Sequence, residues 1–195
     1  MNFLAHIYLS GEDEGLTIGN FIADSIKGKK HLNFKKEIQN GILLHRSIDT
    51  FTDQHPIVRQ STKRLHANHG HYSGVIVDVF YDHFLAKNWQ QYHQTPLGEY
   101  VSKFYTLLET NFDILPFKIQ NMLPIMKSNN WLLSYATVEG INTILGQMSR
   151  RVKHKNNMHL ATLDLEKHYT EFEKDFTDFF EELKVFSKHT TTSLS

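Results

Sequence analysis

The sequence predicts an all-α protein folded as a single-domain helical bundle. Apolar residues recur at intervals of three and four along most of the chain, which is the period of an amphipathic helix. No segment shows the alternation of apolar and polar residues that marks a half-buried strand. No internal repeat and no linker divides the 195 residues, a length that suits one domain with a sizeable core.

Composition narrows the possible function classes. Lys and Arg number 21, as do Asp and Glu, so the formal net charge is zero and we expect neither nucleic acid nor a membrane as a partner. The absence of cysteine excludes a disulfide framework, a thiol nucleophile and thiolate metal ligands. The longest apolar runs are shorter than the roughly 18 residues of a membrane span. Residues 1–10 lack the features of a secretory signal, so the cytoplasm is the predicted location.

The first third of the chain contains the signals of several helices. Residues 2–9 form a short amphipathic segment, and residues 16–27 form a helix that Gly28 ends. Residues 34–51 form the next helix, which ends before Pro56 because proline disfavours helical backbone in the preceding residue. Residues 57–66 add another turn or two of helix before a polar loop at residues 66–71.

The remaining chain continues the helical pattern. Further helices are predicted at residues 75–92, from Pro96 until the chain frays before Pro116, and at residues 117–126, 131–135, 138–151 and 163–186. The domain is expected to span residues 1–188. Residues 189–195 are expected to form a disordered tail.

Three of these helices carry polar pairs at one-turn spacing, which puts both members of a pair on one helix face. The pairs are Asn20 with Asp24, His45 with Asp49, and Asp78 with Asp82, and His83 follows the last pair directly. Buried carboxylates need a partner, and Asp and His without sulfur suit a divalent ion such as Mn, Mg, Fe or Zn. The pattern therefore indicates a helical metal site.

A simpler explanation competes with the metal site. Each acid can lie at the helix surface and pair with Arg46, Arg59 or Lys87, and for any single residue this explanation is preferred. For three pairs at the ends of apolar stripes we favour the metal. Asp53 precedes a proline turn and is more typical of a turn residue. His66, His69 and His71 are left out of the site, because a Gly- and Asn-rich loop favours exposed histidines.

Missing motifs restrict the chemistry further. The chain has no Glu-x-x-His pair of the di-iron bundles, no His-Glu-x-x-His, no phosphate-binding glycine loop and no nucleophile elbow. What remains is an Asp and His metal site, and hydrolysis is the natural task of such a site.

Four blocks of residues resemble the acyl carrier protein phosphodiesterase family, over most of the chain to about residue 186. They are Asn2-Phe3-Leu4-Ala5-His6, Gly19-Asn20-x-x-Ala23-Asp24, Gly41-x-x-x-His45-Arg46-x-Ile48-Asp49-x-x-Thr52-Asp53 and Asp78-Val79-x-x-Asp82-His83-Phe84-Leu85-x-x-x-Trp89, with Gly146-x-Met148-Ser149-Arg150-Arg151 later. The resemblance implies an HD-domain-like fold, an unconventional branch of the HD-domain phosphohydrolases. It also implies a role in lipid metabolism, namely the cleavage of 4′-phosphopantetheine from holo acyl carrier protein with Mn as the metal. The usual adjacent His-Asp dyad is absent, and Asp82-His83 has the reversed order.

Under this hypothesis, site residues take specific roles. Asp24, His45, Asp78 and Asp82 are the preferred metal ligands, and Asp49 and His83 either bind the metal or orient a ligand. His6 is expected to act in acid–base chemistry and Arg46 to contact a phosphate oxygen, although a salt bridge explains Arg46 equally well. Carrier proteins are acidic, so basic clusters are candidate docking patches or merely solvated faces; their residues include Lys27, Lys29, Lys30, Arg150 and Arg151. Two alternatives stay open: a phosphohydrolase of nucleotides or other small phosphate esters, and a non-catalytic helical binding module.

Overall fold

The computed structural model describes residues 1–194, and within that range the chain consists of helices and turns without a strand. The prediction of an all-α single domain is confirmed. The α-helices of these residues are α1 (Phe3–Leu9), α2 (Glu14–Ile22), α3 (Lys36–Gln54), α4 (Pro56–His69), α5 (Ser73–Lys87), α6 (Leu97–Thr110), α7 (Phe117–Ser128), α8 (Trp131–Ser134), α9 (Val138–Arg151), α10 (Ala161–Lys167) and α11 (Tyr169–Leu194). Short 3₁₀ turns lie between several of them.

Helix α5 is the central element of the core. Nearly every residue from Ile76 to Ala86 is buried, and a helix that is buried on all sides belongs to the interior. Helices α1, α4, α9 and α11 pack around it. The aromatic stripe of α11 supplies much of the filling, since Phe172, Phe176, Phe179 and Phe180 are all fully buried.

Helices α2 and α3 approach each other closely, and two glycines permit it. A Cβ atom added to Gly19 would lie 2.1 Å from the carbonyl oxygen of Ile38, and one added to Gly41 would lie 2.2 Å from the carbonyl oxygen of Leu16. These distances are far inside van der Waals contact, so neither position accepts a side chain without separating the helices. The crossing brings Asn20 of α2 beside His45 of α3.

Helices α6 to α9 form a second flank of the bundle. They pack successively against one another, and α9 also packs against α5. Thr137 caps α9 through a hydrogen bond that its hydroxyl oxygen accepts from the Gly140 amide. This flank faces the N-terminal helices across a pocket that is described below.

The structure differs from the sequence-based boundaries at several internal points. Helix α2 ends at Ile22, and Asp24 lies on a 3₁₀ turn at Ala23–Ser25, because Ile26 has an extended backbone. Helix α4 continues to His69 through the segment predicted as a loop, and His69 is buried with its Nε2 2.8 Å from Asp164 Oδ2. The predicted helix at residues 163–186 is divided at His168, whose φ of −122° and ψ of 33° separate α10 from α11.

The C-terminal segment also differs from the expectation. Residues 189–194, predicted as part of a disordered tail, continue α11 to Leu194. The Asn40 side chain donates a hydrogen bond to the Leu194 carbonyl oxygen at 2.9 Å, which ties the end of α11 to α3. The last residue of the predicted tail, residue 195, lies outside the described residues.

Candidate metal centre

The centre of the site is a cluster of two histidines and one aspartate from α1 and α3. Asp49 bridges the histidines: its Oδ1 lies 3.2 Å from His6 Nε2 and its Oδ2 lies 3.1 Å from His45 Nε2. The two imidazole rings stack with their centroids 3.9 Å apart. One ligand atom from each of the three residues lies within 4.8 Å of the others, so the group can hold a metal ion.

Asp24 adds a second carboxylate to this cluster. Its Oδ1 lies 3.2 Å from His45 Nε2, and its side chain is 68% exposed. Asp24 reaches His45 from the 3₁₀ turn that follows α2. Because α2 ends before Asp24, the turn can direct the carboxylate towards the cluster. Together the four side chains present imidazole nitrogens and carboxylate oxygens without sulfur, a donor set that suits Mn, Fe or Zn.

Asn20 holds both histidines in the tautomer that a metal requires. Its side-chain oxygen lies 2.8 Å from His6 Nδ1, and its backbone carbonyl oxygen lies 2.8 Å from His45 Nδ1. Because these oxygens can only accept, each Nδ1 carries a proton, which leaves Nε2 as the ring atom that can bind a metal. The Asn20 amide is itself oriented, since its Nδ2 donates to the His6 carbonyl oxygen and to Ser10 Oγ.

His45 and the carboxylates of the cluster stabilise one another's charged forms. Burial raises the pKa of Asp49, but the nearby imidazole nitrogens of His45 and His6, at 3.1 and 3.2 Å, outweigh it and hold the pKa well below its ordinary value. Burial lowers the pKa of His45, yet hydrogen bonds with Asp24 and Asp49 raise it to about 9. Burial lowers the pKa of His6. One histidine is therefore favoured as a cation and the other as a neutral base.

A buried nitrogen without a hydrogen-bond partner indicates whether the cluster fits a metal. His6 Nε2 is buried and makes no hydrogen bond of good geometry among the described residues, although Asp49 Oδ1 lies 3.2 Å away. Buried polar atoms without a partner are uncommon and call for an explanation. A cation between His6, His45 and Asp49 satisfies this nitrogen, so the residues fit the metal that the sequence predicts.

The cluster opens into a pocket of about 510 Å³. Its near side carries Asp24, His45, Asp49, Asp53 and Asp78. Its far wall comes from helices α7, α8 and α9, with the lining residues Lys118, Met122, Trp131, Tyr135, Ile144, Gln147, Met148 and Arg151. The volume lies within the usual range of small-molecule sites, and the far wall combines apolar surface with two cations.

Asp78, a predicted metal ligand, lines this pocket but is not part of the cluster. Its Oδ1 lies 3.0 Å from the α-amino group of Met1, and the two form an ion pair. The pair compensates the Asp78 charge within the described chain, so no metal is required to explain it.

Asp82, another predicted ligand, lies away from the cluster and is fully buried. Its carboxylate accepts hydrogen bonds from the backbone amides of Asn2, Leu4 and Ala5, at 3.2, 2.7 and 3.4 Å. These are free amides at the start of α1, which need an acceptor because no earlier helical turn supplies one. The structure thus corrects the expected role: Asp82 anchors α1 on α5.

His83, expected to bind the metal or orient a ligand, and Arg46, expected to contact a phosphate oxygen, bond to other parts of the fold. His83 is buried, with Nδ1 2.7 Å from the Tyr135 carbonyl oxygen and Nε2 2.7 Å from the Tyr169 hydroxyl. Arg46 donates through Nη2 to the carbonyl oxygens of Ile26 and Gly28, at 3.1 and 3.0 Å. Arg46 therefore holds the segment that follows Asp24 and fixes the direction from which Asp24 approaches.

The remaining predicted residues are placed as follows. His6, expected to act in acid–base chemistry, points its Nε2 into the cluster. Lys27, Lys29 and Lys30 are exposed on the segment after Asp24. Arg150 is exposed, and Arg151 lines the pocket with its guanidinium 5.3 Å above the Trp131 ring.

Comparisons with known proteins agree with the resemblance carried by the motifs. A family model described as acyl carrier protein phosphodiesterase matches residues 1–183. The chain is 31% identical to the acyl carrier protein phosphodiesterase of Pectobacterium atrosepticum, over 96% of this chain and 98% of the relative. It is 30% identical to the acyl carrier protein phosphodiesterase of Escherichia coli strain HS, over 97% of this chain and 98% of the relative. It is 29% identical to that of Photorhabdus laumondii, over 92% of this chain and 91% of the relative.

Two negative findings complete this description. No solved structure matches the chain. Among residues 1–194, no helix has both the length and the apolar character needed to cross a membrane.

Proposed function

Because the chain belongs to the acyl carrier protein phosphodiesterase family, we propose that it hydrolyses the phosphodiester between 4′-phosphopantetheine and a serine of holo acyl carrier protein. The products are apo carrier protein and free 4′-phosphopantetheine. The observation that supports the proposal in this structure is the cluster of His6, His45 and Asp49 at one end of a pocket large enough for part of the substrate.

We assign the metal to four side chains. His6 and His45 offer Nε2 lone pairs, and Asp49 and Asp24 offer carboxylate oxygens. A bound divalent cation at this place lowers the pKa of water and neutralises charge on a phosphoryl oxygen. Mn is the proposed ion, and the nitrogen and oxygen donors are compatible with it. An all-α fold with His and Asp ligands from different helices also supports the proposed kinship with HD-domain phosphohydrolases.

The departing serine oxygen needs a proton when water attacks phosphorus and the phosphorus–serine oxygen bond breaks. His6 is less suited to this step than the sequence suggests, because its Nε2 faces the cluster. Asp53 lies one turn beyond Asp49 on α3 and lines the pocket, while Asp78 is engaged by the Met1 amino group. We therefore assign the proton donor to Asp53.

We assign the predicted basic patches to substrate binding. Lys27, Lys29 and Lys30 follow Asp24 and are exposed, and Arg150 lies beside the pocket residue Arg151. Exposed cations of this kind steer an acidic partner and raise its association rate more than its final affinity. Their contribution is expected in the rate of encounter with the carrier protein.

The test is apo-protein formation from purified holo carrier protein with added Mn, followed by intact-protein mass spectrometry. The native protein is expected to convert the carrier, and Asp49→Ala and His45→Ala are expected to lose at least a thousandfold of kcat/KM. Asp113→Ala, at an exposed acid outside the pocket, serves as the matched control. No conversion by the native protein, or full activity in Asp49→Ala, overturns the proposal, and faster turnover of nucleotides or small diesters favours the alternative phosphohydrolase.

A further inference from the structure

A second groove meets the metal-site pocket at its near side. It has a volume of about 380 Å³ and lies between α4 and the start of α5. Asp53 and Asp78 line both the groove and the pocket, so the two spaces join beside the cluster. The other lining residues of the groove are Val58, Arg59, Thr62, Lys63, His66 and Gly74.

One wall of this groove is a basic stripe formed by Arg59, Lys63 and His66 of α4. The three residues follow one another at intervals of four and three, which places them on a single helix face. All three are exposed. None of them forms an ion pair within residues 1–194, and Arg59 donates only its Nε to the Asp53 carbonyl oxygen at 3.3 Å. The stripe therefore presents two cationic side chains, Arg59 and Lys63, that no ion pair among the described residues engages.

The floor of the groove is kept open by a glycine. A Cβ atom added to Gly74 would meet no atom within 4 Å, although the residue lies in the first turn of α5. Glycine in a helix is less stable than alanine by roughly 0.5–1 kcal/mol, and no crowding at this position excludes a side chain. The space that an added side chain would occupy is part of the groove itself.

A phosphodiester has two substituents that diverge from one phosphorus atom, and two spaces diverge from this cluster. The larger pocket, with its apolar far wall of Met122, Trp131 and Met148, suits a flexible linear arm. The shallower groove carries its charge along a helix, where side chains one turn apart lie about 5–6 Å from each other. That spacing matches a row of carboxylates on a partner helix.

We infer that the basic stripe of α4 docks an acidic surface of the carrier protein, while the pocket along α7, α8 and α9 takes the pantetheine arm. This inference rests on the proposed function and adds the surface that recognises the protein half of the substrate. The partner is an acidic protein surface, because the stripe offers unpaired cations and the groove continues into the proposed reaction site.

The experiment compares two substrates in the Mn-loaded enzyme: holo carrier protein and bis(4-nitrophenyl) phosphate. The double variant Arg59→Glu/Lys63→Glu is expected to lower the ratio of kcat/KM for the carrier to kcat/KM for the small diester at least tenfold, mainly through KM. The native KM for the carrier is expected to rise with salt, and that of the double variant much less. Lys188→Glu, at an exposed lysine of α11, is the matched charge control.

A second variant tests the groove without changing its charge. Gly74→Leu fills the open floor and is expected to raise KM for the carrier several-fold, with thermal unfolding used to confirm that the variant is folded. An unchanged substrate ratio in both variants, with an active native enzyme, overturns the docking inference and leaves the proposed function intact. A native enzyme that cleaves only the small diester overturns both.

Discussion

Asn20 connects the two histidines of the cluster through two different oxygens, one from its side chain and one from its backbone. Both histidines depend on it for the position of their proton, although they come from different helices. A single residue thus fixes which nitrogen of each histidine carries a proton and which faces the cluster. Residues of this kind are identified only once the fold has placed them.

Asn20→Ala removes the acceptor for His6 Nδ1 and the side-chain contact to His45 Nδ1. Without that acceptor the His6 ring loses its fixed tautomer and orientation. Loss of such an orienting group typically weakens metal binding by about 10–100-fold, and we expect this change in the Mn dissociation constant. Isothermal titration with Mn measures it. Ser10→Ala is the control, because it removes the hydrogen bonds of the Ser10 hydroxyl with the Asn20 amide nitrogen and the His6 carbonyl oxygen but leaves the acceptors of both Nδ1 atoms in place.

Asp82 provides a prediction of pH dependence that does not involve the cluster. Burial raises the pKa of Asp82 to about 7. The amino group of Met1 and the backbone amides of α1 favour the carboxylate and lower the pKa, but their effect is smaller than that of burial. The folded state therefore binds the proton more tightly than the unfolded state. The resulting stabilisation is complete below about pH 4 and is lost as the pH rises through about 7.

Asp82→Asn cannot titrate, so the stability advantage of the native protein over this variant should shrink as the pH rises from 4.5 to 8. We expect the difference in the free energy of unfolding to fall by up to about 3 kcal/mol across this range. Urea unfolding of both proteins in chelator at several pH values measures it. Asp113→Asn, at an exposed residue, should show a constant difference, and a constant difference for Asp82→Asn contradicts the prediction.

At the scale of the helix, the same spacing of polar residues leads to a shared cluster in one case and to separate partners in another. His45 and Asp49 share a face of α3, and the structure brings them together as the spacing predicts. Asp82 has the same kind of spacing from Asp78, but its partners are the amides of α1. The sequence cannot distinguish these cases, because it does not reveal where α1 begins in space relative to α5.

The far wall of the pocket shows a second limit of the sequence. Met122, Trp131 and Met148 come from three helices in the second half of the chain. Each belongs to an apolar or amphipathic stripe, a pattern that also describes ordinary core residues. Helix periodicity predicts the elements well because it depends on local spacing. The wall depends on the packing of distant elements, which no local pattern encodes.

The crossing of α2 and α3 gives a prediction at the same scale. Gly41→Ala places a Cβ atom against the Leu16 carbonyl oxygen and Gly19, so the helices must separate. Overpacking at a backbone contact typically costs about 1–3 kcal/mol, and we expect a loss of at least this size in the free energy of unfolding. The separation also draws Asn20 away from His45, so Mn affinity should fall in the same variant.

Gly98→Ala is the matched control for this substitution. Gly98 also lies in a helix, α6, but a Cβ atom added there meets nothing within 4 Å. Removing glycine from an unstrained helical position should stabilise the protein by roughly 0.5–1 kcal/mol. Chemical denaturation of both variants compares the two effects, and equal changes in stability contradict the role assigned to the α2–α3 contact.

At the scale of the whole molecule, the candidate site draws on distant parts of the chain. The cluster comes from α1, the turn after α2, and α3, and the far wall of the pocket comes from α7 to α9. The unfolded chain does not hold these groups together. A ligand of the cluster must therefore bind the native state in preference to the unfolded state, and it couples metal binding to global stability.

This coupling predicts the effect of metal removal on thermal unfolding. At a free Mn concentration of 100 times the dissociation constant, binding to the native state adds about 2.7 kcal/mol, which corresponds to a Tm increase of roughly 5–10 °C for a domain of this size. Scanning calorimetry with Mn and with chelator measures the difference. Asp49→Asn removes a carboxylate that lies close to both His6 and His45, so this variant should show little increase with Mn. The variant at the exposed residue Asp113, Asp113→Asn, should keep the native increase. A native Tm that is the same with Mn and with chelator contradicts a metal site at this cluster, whatever substrate the protein acts on.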